Sequence, residues 1–392
     1  MSVQEINVPA PADFHVHLRQ GKMSELVSPH VAEGGVALAY VMPNLVPPIT
    51  SAQQASDYLA SLSALAPQTK FVGTLYLSPA LTPDEIARAA EAGVRGVKSY
   101  PRGVTTNSEG GIEDYETYYP IFEAMQKHNM VLNLHGEVPS NADAGICVLN
   151  AEEKFLTHLF KIHRQFPDLK IVLEHATTRK AVEAVKQCGD TVGCTITPHH
   201  LELIVDDWAG KPLNFCKPVA KYPDDRQALR DVICEGHPRF FLGSDSAPHP
   251  LANKYPSAVT HGAPGTKASS SGDDDLEPTG VVSCGCAAGV YTSSILVPLC
   301  ATLLEGFGAL DQLANYVSLN GRKFYGYDNA DDMKNGSITL RRASKGATGS
   351  AATVPAVYVH PEYVEVADSD ASKVQVVPFW AGKRLGWEIV RS

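Results

Sequence analysis

Short apolar runs alternate with helical patterns along most of this chain, and that alternation restricts the fold more than any other feature. Residues 36–42, 71–77, 94–97, 131–134, 170–173 and 240–243 are continuous apolar stretches of the kind found in strands buried on both faces. Between them lie helical patterns at 51–64, 114–128, 151–166, 179–187 and 224–235. A further helix start is explicit: Thr82 serves as N-cap, Pro83 takes the first helical position, Glu85 closes a capping box, and Gly93 stops the helix. Strand followed by helix, repeated, predicts a parallel sheet with helical crossovers. Repeated about eight times it closes into an α/β (β/α)8 TIM barrel, whose reactive groups sit at the C-terminal ends of the strands. A chain of 392 residues fits one such barrel, here taken as 1–350, with a small C-terminal extension at 351–392 built from alternating segments such as Tyr358-Val359-His360 and Val374-Gln375-Val376-Val377. Residues 251–279 are polar, rich in Gly, Ser and Pro, and without period, which reads as a long surface insertion loop.

What the strands end on therefore matters. His15-Val16-His17 lies in an extended segment, where alternate side chains share a face, so both imidazoles can reach one ion. Later strands end on Lys98, His135, His175 and Asp245. Each has a plainer reading alone: a satisfied core histidine, a surface lysine, an aspartate capping a turn. Their joint placement is harder to supply that way. Four imidazoles and a carboxylate exceed the needs of one catalytic zinc, which takes three protein ligands and an open position, so two adjacent metals fit better. An ammonium beside two divalent cations is electrostatically prohibited. Lys98 then either sits elsewhere or is neutralised, and a neutral amine that adds CO2 becomes an anionic carbamate able to bridge both ions.

His15-x-His17-x-Arg19, Met42-Pro43-Asn44, Gly96-Val97-Lys98, Leu134-His135-Gly136-Glu137, Glu174-His175 and Gly243-Ser244-Asp245-Ser246-Ala247-Pro248-His249 together resemble, in order and spacing, the dihydroorotases of the amidohydrolase superfamily. The likeness spans roughly residues 15–387 and is nearest the shorter type, as in bacterial and fungal monofunctional enzymes. Hydantoinases and dihydropyrimidinases share the pattern but carry a β-sandwich segment before their H-x-H, and fourteen residues are too few for one.

The resemblance implies a binuclear zinc centre: His15, His17, Asp245 and carbamylated Lys98 (N6-carboxylysine) on one ion, His135, His175 and the same Lys98 on the other. It implies reversible cyclisation of N-carbamoyl-L-aspartate to L-dihydroorotate in de novo pyrimidine synthesis, with a hydroxide shared by the zincs attacking the ring amide carbonyl and Asp245 as general acid and base. Arg19, Asn44 and His249 match positions that hold the substrate carboxylate, a role suited to the planar guanidinium fork. Ala287 matches a backbone contact to the carboxylate and Lys217 a backbone contact to the pyrimidine ring, although a leucine is expected at 217 in bacterial relatives. Residues 102–111 match a mobile loop, with Thr105 and Thr106 reaching substrate when it closes, and the two glycines and small polar residues suit a lid. The family suggests a homodimer.

Charge and cysteine usage exclude other classes. A formal net charge of -10 gives no basic face for nucleic acid or an anionic membrane. No apolar run approaches the length of a bilayer span, and the start lacks a signal-peptide pattern. Eight scattered cysteines then read as reduced thiols of a cytoplasmic protein, with Cys284-Gly285-Cys286 a tight turn rather than a zinc ribbon. Two rivals remain open at this stage: a hydrolase of neutral rings, which would not need a carboxylate clamp, and a catalytically dead scaffold, which would be expected to lack ligands.

Overall fold

The computed structural model describes residues 3–255, 286–334, 336–344, 352–364 and 373–390. After β1 (Glu5–Val8) come eight strands in sequence, β2 (Ala12–Val16), β3 (Leu38–Val41), β4 (Lys70–Tyr76), β5 (Gly96–Ser99), β6 (Val131–His135), β7 (Lys170–Glu174), β8 (Val192–Ile196) and β9 (Phe240–Leu242). They form one sheet in the order β2-β3-β4-β5-β6-β7-β8-β9, every neighbouring pair parallel. The sheet closes just beyond its last strand: Val16 bridges Ser246 in parallel, the Asp245 N–H donates to the His15 carbonyl at 2.8 Å, and the His17 N–H donates to the Ser246 carbonyl at 3.0 Å. The expected α/β barrel is therefore the observed one.

Two strands carried little signal. β8 reads Val-Gly-Cys-Thr-Ile, with a polar residue where Thr195 faces inward and a glycine where Phe241 and Phe324 press close. β1 pairs antiparallel with β10 (Ile338–Arg342), which pairs in turn with β13 (Trp387–Ile389), while β11 (Tyr358–Val359) pairs with β12 (Gln375–Val376).

The helices fall where the patterns put them, with two corrections. The helix expected from residue 114 begins at Tyr119, after a 3-10 turn over Glu116–Tyr118, because Pro120 lacks an N–H and fits only in a first turn. At the helix Pro83–Glu91, Thr82 accepts from the Glu85 N–H as expected, but the Glu85 carboxylate does not complete the box. It accepts instead from the Ala52 N–H at 2.7 Å, so the anion that would have served its own helix fastens the N-terminus of the preceding one, Ala52–Leu65.

Inside the barrel the side chains form layers, as alternation along each strand requires. The floor is apolar: Phe14 stacks on Tyr325 with centroids 4.6 Å apart and meets Phe241 edge-on at 5.6 Å. Above it Tyr40 donates to Asn133 at 2.9 Å, and the Asn133 amide donates to Glu174 at 2.6 Å. The next residues up each strand are the expected ligands. Gly96 sits two residues below Lys98 on the same inward face, and a Cβ there would collide with the Tyr40 hydroxyl, the Val131 carbonyl and the Asn133 amide oxygen. Gly96→Ala is expected to destabilise the fold by about 1–3 kcal/mol through overpacking. An unchanged urea midpoint for that variant would show that the polar layer yields freely.

Candidate active site

The ligand layer is buried and crowded with nitrogen. His17 Nε2 lies 3.1 Å and His15 Nε2 3.5 Å from Asp245 Oδ1, and the ligand atoms of these three residues all fall within 4.8 Å of one another. His175 bridges the two halves of the group, its ring centroid 4.9 Å from that of His15 and 4.8 Å from that of His135. Lys98 is fully buried, 4.6 Å above the Tyr100 ring, and among the described residues neither its Nζ nor His175 Nδ1 has a hydrogen-bond partner. Burial pushes the Lys98 amine down to about 8 and the His17 imidazole to about 4. It likewise drives His135 and His175 below the ordinary histidine range. Neutral imidazoles with lone pairs and no acceptor role to fill, gathered around a carboxylate, fit a metal centre.

Carboxylates behind the imidazoles fix which nitrogen faces inward. His15 Nδ1 donates to Glu174 at 2.8 Å, which leaves Nε2 for an ion. His135 Nε2 donates to Glu137 at 2.9 Å, which leaves Nδ1. Glu174 is the sequence neighbour of His175 but serves His15 across the barrel, and it also accepts from Thr195 Oγ1 at 2.5 Å. Asp13 holds the Ser244 N–H at 2.8 Å, the Ser244 hydroxyl at 2.5 Å and the His15 N–H at 3.1 Å. Three site residues sit at positive φ, Arg19 at 57°, His175 at 42° and Asp245 at 44°, a conformation that costs an ordinary residue about 1–3 kcal/mol.

The same cavity opens toward a second group. Arg19 donates through Nε to the Pro248 carbonyl at 2.9 Å, and its NH2 group lies 3.1 Å from His249 Nε2, itself 2.9 Å from the Ala288 carbonyl. Asn44 donates to the Thr106 carbonyl at 3.1 Å and accepts at its own carbonyl from Asn107 at 3.0 Å, so the 102–111 loop lies against it. Thr105, Thr106 and Lys217 reach the wall.

Residues 14–193 match the family model described as Amidohydrolase. A dihydroorotase of Mycosarcoma maydis is 86% identical over 394 residues, covering 100% of both chains. The crystal structure of dihydroorotase from Saccharomyces cerevisiae, in complex with 5-fluoroorotic acid, superposes with a TM-score of 0.83 at 41% identity, over 99% of each chain. The chain belongs to the dihydroorotase family. It is accordingly a cyclic amide hydrolase of the amidohydrolase type. An L-hydantoinase from Arthrobacter aurescens, 17% identical with a TM-score of 0.75 over 98% of this chain and 83% of its own, shares the fold.

Within this dihydroorotase barrel the structure brings together His15, His17, Lys98, His135, His175 and Asp245, and beside them Arg19, Asn44, Thr105, Thr106, Lys217 and His249. Ala287 stands apart: its N–H is tied to the Asn253 carbonyl at 2.9 Å and its carbonyl to Lys254 Nζ at 2.8 Å, so Ala288 and Gly289 form the wall instead. Of the 251–279 stretch, Leu251–Lys254 is a short helix, while the rest from 256 onward lies outside the described residues, as do Cys284 and Gly285. Among the described residues no helix is long and apolar enough to cross a membrane.

Several residues escaped the sequence reading. Lys254 is buried and donates to the carbonyls of Phe215 at 3.0 Å, Ala287 at 2.8 Å and Gly289 at 2.8 Å. His199, His200 and Cys216 form a second buried group, but His200 Nε2 and Cys216 Sγ both turn to the Pro218 carbonyl, at 3.0 and 3.3 Å. Tyr100 carried a usable signal, since it lies two residues beyond Lys98 and shares its inward face. Because Glu174 sets the His15 ring, Glu174→Ala is expected to weaken divalent-metal retention about 10–100-fold. Metal content after dialysis against graded chelator checks this, and wild-type retention would mean that packing alone orients His15.

Proposed function

We propose that the chain interconverts N-carbamoyl-L-aspartate and L-dihydroorotate in de novo pyrimidine synthesis, using two zinc ions. The observation that carries this reading is one cavity lined both by a buried nitrogen-rich donor set and by a half-buried guanidinium that meets His249, with Asn44 on the same wall. His15, His17 and Asp245 would hold one ion and His135 and His175 the other. Lys98, whose amine is buried and without a hydrogen-bond partner among the described residues, would serve both as its carbamate, N6-carboxylysine. When bound, the ions supply Lewis acidity for the carbonyl and a water of lowered pKa.

The chain's own groups do the rest. Arg19 offers a planar fork to the substrate carboxylate, with the Asn44 amide and the His249 ring beside it. The negative-φ rule is broken at Arg19 to aim it there. Asp245 accepts the proton of the attacking water at its carboxylate and passes it to the leaving ring nitrogen, which cannot depart as an anion. In synthesis the same proton runs backward. Thr105 and Thr106, on the loop that leans on Asn44, would reach substrate and exclude water as the 102–111 loop closes. Lys217 at the wall would face the ring, and the backbone near Ala287 the carboxylate.

A neutral ring would leave the half-buried Arg19 guanidinium at the cavity wall with no substrate anion to meet, which favours dihydroorotate over the substrates of hydantoinases. Unpaired thiols at the described cysteines support a reducing, cytoplasmic setting, and we take the working form to be a homodimer without nucleic-acid or membrane partners. We also take 1–350 as the catalytic unit, with 351–392 packed on it as an extension.

Purified protein is expected to carry two zincs per chain and to hydrolyse dihydroorotate in a chelator-sensitive way. Two zincs without that activity would turn the reading toward neutral-ring hydrolases, and no metal toward a scaffold. Two variants separate the roles. Arg19→Met should raise KM about 10–100-fold, the worth of a charge-assisted hydrogen bond or two. Asp245→Ala should lose about 10²–10⁴ in kcat with substrate binding far less affected. Steady-state assays that found either variant near normal would remove that residue's role.

A further inference from the structure

Tyr100 is the polar group at the metal end of the cavity that the mechanism above leaves idle. It follows β5 directly, and because it is two residues beyond Lys98 it turns into the barrel as Lys98 does. Its side chain is buried at 1% exposure, lines the cavity, and its hydroxyl has no hydrogen-bond partner among the described residues. A buried hydroxyl left unpaired costs about 1–3 kcal/mol, so a partner that arrives with the substrate would recover that loss. The ring cannot easily turn away to find another. It stacks on Tyr76 with centroids 5.2 Å apart at 25°, and its backbone carbonyl accepts from Ile112 at 2.8 Å at the root of the 102–111 loop.

Position says which oxygen it meets. The ring centroid is 4.6 Å from Lys98 Nζ and 6.2 Å from the His135 ring, beside the donor set that would polarise the reacting carbonyl. The carboxylate, by contrast, has Arg19, Asn44 and His249. We propose that the Tyr100 hydroxyl is a catalytic hydrogen-bond donor to the oxygen of the reacting carbonyl. As the C–O bond to the nucleophile forms, the carbonyl π pair moves onto that oxygen, and the phenol stabilises the charge without giving up its proton. When the tetrahedral carbon collapses, the C–N bond breaks, the ring nitrogen takes its proton from Asp245, and the oxygen returns to a carbonyl.

This inference rests on the dihydroorotase reading above, and the test separates the two. Tyr100→Phe keeps the ring on Tyr76 and removes only the O–H. In the metal-loaded full chain, kcat for dihydroorotate hydrolysis is expected to fall about 100-fold, as for loss of one oxyanion donor. KM, metal content per chain and the dissociation constant for 5-fluoroorotate should stay within about threefold of the wild type, since little charge sits on the oxygen in those ground states. A kcat within about twofold of the wild type would overturn the proposal. So would a loss carried by KM and 5-fluoroorotate binding, which would make Tyr100 a prop for the loop, or a fall in metal content, which would make it a support of the centre. A wild-type chain that fails to turn over dihydroorotate at all would instead remove the reading on which the proposal stands.

Discussion

The seam between the first and last barrel strands is the constraint on which the rest of the site depends. β9 is three residues long and makes no ladder with β2. Closure falls to the residues just past it, through the Asp245-to-His15 and His17-to-Ser246 backbone hydrogen bonds and through the buried Asp13 carboxylate on Ser244. The bonds that close the sheet are thus made by the backbones of three expected ligands. Asp13 is itself under pressure: burial raises its carboxyl to about 6, against the opposing pull of the Ser244 and His15 hydrogen bonds. Barrel closure and ligand placement are one event, and an error in either would appear in both.

Burial then sets the chemistry. A floor of stacked aromatics excludes water, a hydrogen-bonded layer of Tyr40, Asn133, Thr195 and Glu174 lies over it, and the histidines sit above. That order lowers the pKa of His17, His135 and His175 through burial, and it gives His15 and His135 a carboxylate each to fix the tautomer. The positive φ of His175 and Asp245 is tolerable only because both are locked from behind. The His175 N–H donates to Thr195 Oγ1 at 2.7 Å, and the Asp245 N–H is held in the seam.

How much of this was legible in the sequence follows from where each signal lives. Strand ends were readable because a buried strand is a short apolar run, and a histidine, lysine or aspartate at its end stands out against it. β8 was not, because its inward residue is a threonine and its tight neighbour a glycine. The ligand set could be read, since alternation puts His15 beside His17. The pairing of Glu174 with His15 could not, because it joins residues 159 apart that meet only when the barrel closes. Glu85 shows the same limit on a smaller scale: a local motif was complete in sequence, and a tertiary donor claimed its carboxylate. Lys254 reads as an exposed lysine at the edge of a polar stretch, and only the fold reveals three carbonyls converging on it.

That lysine has a consequence for how such a chain can change. Because Lys254 and the Ala287–Asn253 hydrogen bond pin the chain at 253–254 to the chain at 287–289, whatever runs between them departs from and returns to a single point. The anchor takes hold of the chain at the Ala287 and Gly289 carbonyls, immediately beside the cavity-lining Ala288 and Gly289. The position is a natural graft point, where length and composition can drift between lineages, or be altered by design, while the catalytic wall beneath keeps its shape.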